Sequence, residues 1–228
     1  MQPTAFTYNQ DGLTTTHNCD FVFEPRFEKA YSAGRATGSW GGSEIHWRAH
    51  VACWAAQKGM RLEGDFVECG VNRGGLARTV IECTSLHHSG KKFFLLDTYN
   101  GLVEKYLTPE EIASGFRPGG YEDCYEAVVQ TFSEYPNAIV IKGAVPETLS
   151  QVDAQKIAYL SIDMNCAEPE IAAANHFWDR LTSGAVILLD DYGWYGHIQQ
   201  KLAFDQFAAE HGVEVLSLPT GQGMLIKP

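Results

Sequence analysis

From about residue 64 onward, short apolar runs alternate with stretches of helical periodicity, and no other feature limits the fold of this chain so tightly. "DFVECG", "KKFFLLD", "NAIVIKG", "IAYLSID" and "AVILLDD" read as strands. Between them "GLARTVIECTSL", "YEDCYEAVVQTFSEY", "EPEIAAANHFWDRL" and "IQQKLAFDQFAAEHG" read as helices. In the third of these, Ile171, Ala174, Trp178 and Leu181 make one apolar stripe, with Gly184 as the stop; Gly212 stops the fourth. Strands alternating with helices of this length mean βαβ units and an α/β fold on a mainly parallel sheet. The last two runs, "VEVLSLP" and "GMLIKP", are joined by a short "TGQ" turn and read as a closing antiparallel hairpin.

The 228 residues are 45% hydrophobic, enough for a sizeable core. A formal net charge of -11 argues against a nucleic-acid backbone or an anionic membrane as partner. The six cysteines are scattered with no CxxC pair, which argues against a zinc site and fits reduced thiols. "MQPTAFTYNQDG" has no cationic region leading into an apolar run, and no apolar run approaches a bilayer span. The expectation is a cytoplasmic protein.

Residues 1–60 read as an N-terminal arm with a docking helix, and residues 61–228 as the main domain. Up to about residue 42 the arm reads as irregular, with Phe6, Tyr8, Phe21, Phe23, Phe27 and Tyr31 before a glycine-rich break. Two readings stand: a loosely packed arm, or a mobile lid whose aromatics cover a pocket. Ser43 is placed to cap the helix "EIHWRAHVACWAAQKGM", with Trp47, Val51 and Trp54 on one face. His46 and His50 lie four apart on it, but no third metal ligand follows, so they read as surface or pocket-edge residues.

In open α/β sheets ligands bind at the carboxyl ends of the strands, so those ends carry the functional reading. The first strand runs into "ECGVNRGG". Gly70 permits a tight turn, and Gly74 or Gly75 starts the helix without a side chain. The spacing is GxxxG, not the GxGxxG of dinucleotide enzymes, and Glu68 suits an uncharged or cationic ligand better than a pyrophosphate. A plain strand-to-helix turn is the rival reading. Asp97, ending the second strand, is placed to accept ribose hydroxyls. Gly143 and Ala144 after the third leave space for a flat base. The fourth strand ends at Asp163 and the fifth at Asp190 and Asp191. If those strands are neighbours, three carboxylates converge and call for a hard cation such as Mg²⁺. Capping of the following helix or turn is the alternative.

"GDFVECGVNRGG", "FFLLDTYNGL", "KGAVPETL", "YLSIDMN" and "GAVILLDDYG" together resemble the macrocin O-methyltransferase family of S-adenosylmethionine-dependent, Mg²⁺-dependent class I methyltransferases. The resemblance implies a Rossmann-like, seven-stranded, mostly parallel sheet with helices on both faces. It implies that Glu68, Gly70 and Gly74 hold the methionine end of the cofactor, Asp97 and Thr98 the ribose, and Gly143 and Ala144 the adenine. Asp163, Asp190 and Asp191 would hold Mg²⁺, with Asp163 also counted among the cofactor and catalytic residues. The reaction would be methyl transfer to a hydroxyl of a small molecule such as a sugar-bearing natural product.

Family members acting on sugars carry an acid two positions after the first metal aspartate; here that position is Asn165, which takes no proton at neutral pH. Three readings follow: the metal alone acidifies the hydroxyl, His197 or His176 serves as base, or the substrate differs. A different nucleotide-cofactor enzyme on the same scaffold and a non-catalytic cofactor-binding subunit are the alternatives to the methyltransferase. The long segment between Thr98 and Tyr121 holds a capping-box pattern, Thr108 with Glu111, and reads as part of a substrate lid or as a packing or homo-oligomer contact.

Overall fold

The computed structural model describes residues 5–228. A hairpin of β1 (Tyr8–Gln10) and β2 (Leu13–Thr15) comes first, followed by α1 (Pro25–Arg35) and α2 (His46–Gly59). The main alternation then runs β3 (Asp65–Cys69), α3 (Gly75–Thr84), β4 (Phe93–Asp97), α4 (Pro109–Ala113), α5 (Tyr125–Phe132), β5 (Ala138–Lys142), β6 (Ile157–Ile162), α6 (Ala167–Trp178), β7 (Leu181–Leu189) and α7 (Ile198–His211). It closes with β8 (Leu216–Ser217) and β9 (Gly223–Ile226).

Seven strands make one sheet in the order β5-β4-β3-β6-β7-β9-β8. The first five are parallel, β9 pairs antiparallel with β7, and β8 antiparallel with β9. Successive strands step outward from β3 to β5, and the chain then crosses back to lay β6 on the other side of β3. The switch in order leaves a crevice at the carboxyl ends of β3 and β6.

Alternate strand residues face opposite layers. Phe66, Phe93, Leu95, Tyr159 and Leu188 share a core with α1, α2 and α3, whereas Val67, Phe94, Leu96, Leu160 and Leu189 pack with α6 and α7. Burying one such Leu or Phe contributes about 2 kcal/mol relative to leaving it exposed. All six cysteines are free and buried. No helix among the described residues is long and apolar enough to cross a membrane.

The arm departs most from expectation. Beyond the first four residues, which lie outside the described ones, it holds a hairpin and an eleven-residue helix rather than irregular chain. Pro25 starts α1 with its φ already helical. A Cβ at Gly34 would stand 2.0 Å from Thr79 Oγ1 and 2.4 Å from Gly75 O, so α1 crosses α3 at backbone contact. Phe21, Phe27 and Tyr31 are buried and pack in a chain of aromatic contacts with His46, Trp47 and His50, while Phe6 and Phe23 remain exposed. A helix this short draws its stability from such packing, not from a pattern of its own.

Three smaller corrections share a cause. The buried face of α2 is Ala49, Ala52, Cys53, Ala56 and Gly59, not the Trp47–Val51–Trp54 stripe, and Trp54 is exposed beside Lys58. Small residues let α2 lie close on the sheet, where a Cβ at Gly59 would stand 2.8 Å from Ala158 O of β6. Ser43 does not cap α2; the N-cap position is Ile45, without a side-chain bond. Leu181 belongs to β7 rather than to α6, and Gly184 lies inside that strand. In each case the partner surface, not the local pattern, selects the face or the end.

Candidate active site

A cavity of about 400 Å³ opens at the carboxyl ends of the parallel strands. Glu68, Gly70, Asp97, Thr98, Gly143, Ala144, Asp163, Asn165, Asp190, Asp191 and His197 all line it. Register explains the convergence. Cys69 lies opposite Ile162, and Ile162 opposite Leu189, so Gly70, Asp163 and Asp190 leave neighbouring strands at one level. Gly74 does not line the cavity; it lies under the Phe132 ring, and Gly75 takes its place on the wall. His176 is exposed on α6 and away from the cavity.

One half of the cavity is shaped by backbone. Asp97 Oδ2 accepts the N–H groups of Val71 and Asn72, both at 2.7 Å, and Oδ1 accepts Tyr99 N–H at 2.6 Å. Its carboxylate thus ties the β3–α3 loop to the end of β4, and most of its lone-pair positions are filled. Thr98 Oγ1 turns to Gly101 O at 2.7 Å. Asn72, Tyr99 and Asn165, each just past a strand end, have φ of 49°, 56° and 58°. Left-handed backbone at three non-glycine residues is strain that concentrates at functional sites. Gly70 is demanded by a close approach, since a Cβ would meet Asp163 O at 1.7 Å. Glu68 is buried, its Oε2 has no hydrogen-bond partner, and burial first, then Asp190 and Asp97, push its carboxyl well above the usual range. A buried acid with a free oxygen on a cavity wall is suited to an ammonium group.

The other half is acidic. One carboxylate oxygen from each of Asp163, Asp190 and Asp191 lies within 4.8 Å of the others. Burial, then Asp190 and Asp191, raise Asp163 well above the carboxylate range, and burial with Asp190 raises Asp191 to about 7. Like charges this close repel, and a cation relieves them. Asp191 Oδ2 is buried without a hydrogen bond, 3.3 Å from His197 Nδ1. Gln200 Nε2 lies 2.7 Å from the same Nδ1, and burial lowers the pKa of His197 so that the neutral imidazole is favoured. Asn165 Nδ2 donates to Asp163 Oδ1 at 3.2 Å. The donor set is all carboxylate, with an orphaned buried oxygen, and fits a hard divalent cation.

Sequence reading missed the residues that hold these acids. Arg48 of α2 donates from Nη1 to Asp190 Oδ2 at 2.7 Å, and Gln222, before β9, donates to Asp190 Oδ1 at 2.9 Å. Neither carries a local signal in the sequence. The 98–121 excursion walls the same cavity, with Leu102, Tyr106 and Tyr121 on its lining. Its capping box forms as expected, and Glu111 does more: its second oxygen accepts Ala167 N–H at 2.8 Å, fastening the excursion to the start of α6. Phe116 packs edge-on against His197 at 4.9 Å. His46 and His50 sit in the aromatic cluster of the arm, not at a metal cluster.

Solved structures share this architecture. The O-methyltransferase NovP superposes with a TM-score of 0.68 at 18% identity, covering 88% of each chain. Apo CalS11, described as a TDP-rhamnose 3'-O-methyltransferase of calicheamicin biosynthesis, gives 0.59 at 16% identity over 92% of this chain and 96% of its own. The S-adenosylhomocysteine-bound methyltransferase PaMTH1 of Podospora anserina gives 0.57 at 16% identity over 90% and 88%. No curated protein matches the sequence. These likenesses establish the class I Rossmann-like methyltransferase fold. The family model for macrocin-O-methyltransferase (TylF) matches residues 49–216, well over half of the chain, and the chain belongs to that family of methyltransferase enzymes.

Proposed function

We propose that this methyltransferase moves the methyl group of S-adenosylmethionine to a hydroxyl of a small molecule, a sugar of a natural product or its nucleotide-linked precursor, with the help of Mg²⁺. The observation that carries the reading is one cavity with two chemically distinct ends: a buried, half-unpartnered Glu68 beside glycine-rich backbone, and a trio of carboxylates. The family and the sugar methyltransferase among its structural likenesses support the substrate class.

S-adenosylmethionine supplies the electrophilic methyl, and Mg²⁺ lowers the pKa of the acceptor hydroxyl. Glu68 neutralises the cofactor ammonium. Asp97 fixes the loop that would bound the ribose. Asp163, Asp190 and Asp191 hold the cation. Asn165 accepts no proton, so its amide orients Asp163. We take neutral His197, whose Nδ1 lies 3.3 Å from Asp191 Oδ2, as the group that would accept the hydroxyl proton. Tyr106, Tyr121 and Trp194 line the same cavity and would flank the acceptor.

Calorimetric titration with S-adenosylmethionine and with NAD tests the cofactor: the first binds and the second does not. With a panel of deoxysugar nucleotides, S-adenosylhomocysteine release requires Mg²⁺ and stops with chelator. Tight NAD binding, or turnover indifferent to chelator, refutes the reading.

A further inference from the structure

We propose that Arg48 is a built-in counter-cation of the carboxylate trio, and that Asp11 on the N-terminal hairpin governs how much of its charge the trio receives, so that the pair sets the affinity for divalent metal. The proposal rests on the metal reading above. Arg48 is a positioning residue here; it acts through Asp190.

The guanidinium divides its donors between two acids. Nε and Nη2 grip the two oxygens of Asp11 at 2.8 and 2.7 Å, and Nη1 takes Asp190 Oδ2 at 2.7 Å. Both ends are shielded, with side-chain exposure of 15% for Arg48 and 4% for Asp11. The Trp194 ring lies 5.4 Å from the guanidinium carbon and adds a cation–π contact. A charge held out of water this way persists only because anions surround it, and charges inside such a site act more strongly than on a surface.

Asp11 is an unusual place to find one of those anions. It sits at the tip of the β1–β2 hairpin with φ of 53°, next to Gly12, where an Asp-Gly pair serves a tight turn and its side chain ordinarily faces water. Here it is turned inward onto Arg48, 37 residues away along the chain. Arg48 in turn reaches Asp190 across 142 residues. The hairpin tip is thereby wired to the acidic cluster through one side chain.

A divalent ion bound by Asp190 faces Arg48 as a second positive centre. Arg48 opposes it by repulsion and by engaging Oδ2. Asp11 works the other way, since it draws the guanidinium fork toward the hairpin and offsets its charge. The two residues therefore have effects of opposite sign on metal affinity, although each is half of the same ion pair.

Titration of the full-length protein with Mn²⁺ alone, followed by electron paramagnetic resonance, and with Mg²⁺ by calorimetry, separates the possibilities. The R48Q variant binds metal about tenfold or more tightly than wild type, and D11N about tenfold more weakly. Equal affinities, or shifts in the same direction for both variants, overturn the proposal; loss of an ion pair with a purely structural role moves both variants alike. Should R48Q fail to fold, D11N decides: weaker binding upholds the proposal, and unchanged or tighter binding overturns it. Wild-type protein that binds neither ion refutes the metal reading and this proposal with it, whereas wild-type binding with unmoved variants refutes this proposal alone.

Discussion

At one end of the cavity Asp97 accepts three backbone N–H groups, all from residues just beyond the ends of β3 and β4. At the other end Asp190 is held by side chains from α2 and from the turn before β9. These backbone donors follow within three residues of the ends of β3 and β4, which pair side by side, so the first end depends chiefly on that pairing. The side-chain donors sit on elements distant in sequence, so the second end requires α2 and the closing hairpin in place. The difference teaches that the two ends of one site depend on different parts of the fold, and that they should fail separately.

Asp191→Asn tests the separation at the acidic end and carries the largest effect. It removes a carboxylate from the trio, so kcat falls by about a thousandfold or more, while affinity for S-adenosylhomocysteine stays close to wild type by calorimetry. Loss of cofactor affinity in step with kcat breaks the comparison.

Asp97→Asn tests the other end. An amide nitrogen then faces backbone N–H groups that had a carboxylate oxygen, and the loop loses acceptors it cannot replace. Stability falls by about 2 kcal/mol in urea unfolding, and cofactor affinity drops, while Mn²⁺ affinity of the trio is retained. An unchanged denaturation midpoint refutes the bracing role.

The smallest effect concerns the arm that supports Arg48. His50 packs on Phe21 with ring centroids 4.1 Å apart, and burial lowers its pKa below the ordinary 6.5. The unfolded chain therefore takes up a proton at His50 before the folded one does. This contribution to stability is whole above about 6.5 and is lost as pH falls toward the lower folded value. His50→Phe keeps the ring packing without the titration, so its melting temperature falls less than that of wild type between neutral and mildly acidic pH. Parallel curves for the two proteins exclude His50 as the source.

Much of this was open to reading in one dimension. The apolar runs are strands because continuous Val, Ile, Leu and Phe cannot be left in water, and Gly212 stops α7 in the left-handed region as expected. The acids Asp97, Asp163, Asp190 and Asp191 were visible as charges placed where such strands end. The arm was not visible. Its helix α1 borrows stability from α3 through Gly34, and a glycine in a weakly patterned segment reads as a break until its partner is known. Gly74 was assigned to the ligand, whereas its space belongs to Phe132 of α5.

The sequence by itself determined the layer architecture and the chemical character of each strand end, because strand burial and residue type are local properties. Tertiary structure alone decided that β6 lies beside both β3 and β7, that three aspartates therefore share one level, and that Arg48, Gln222 and the tip of a distant hairpin meet them. Those partners are chosen by packing across the whole chain, and no spacing within it records which side chain will satisfy a buried charge.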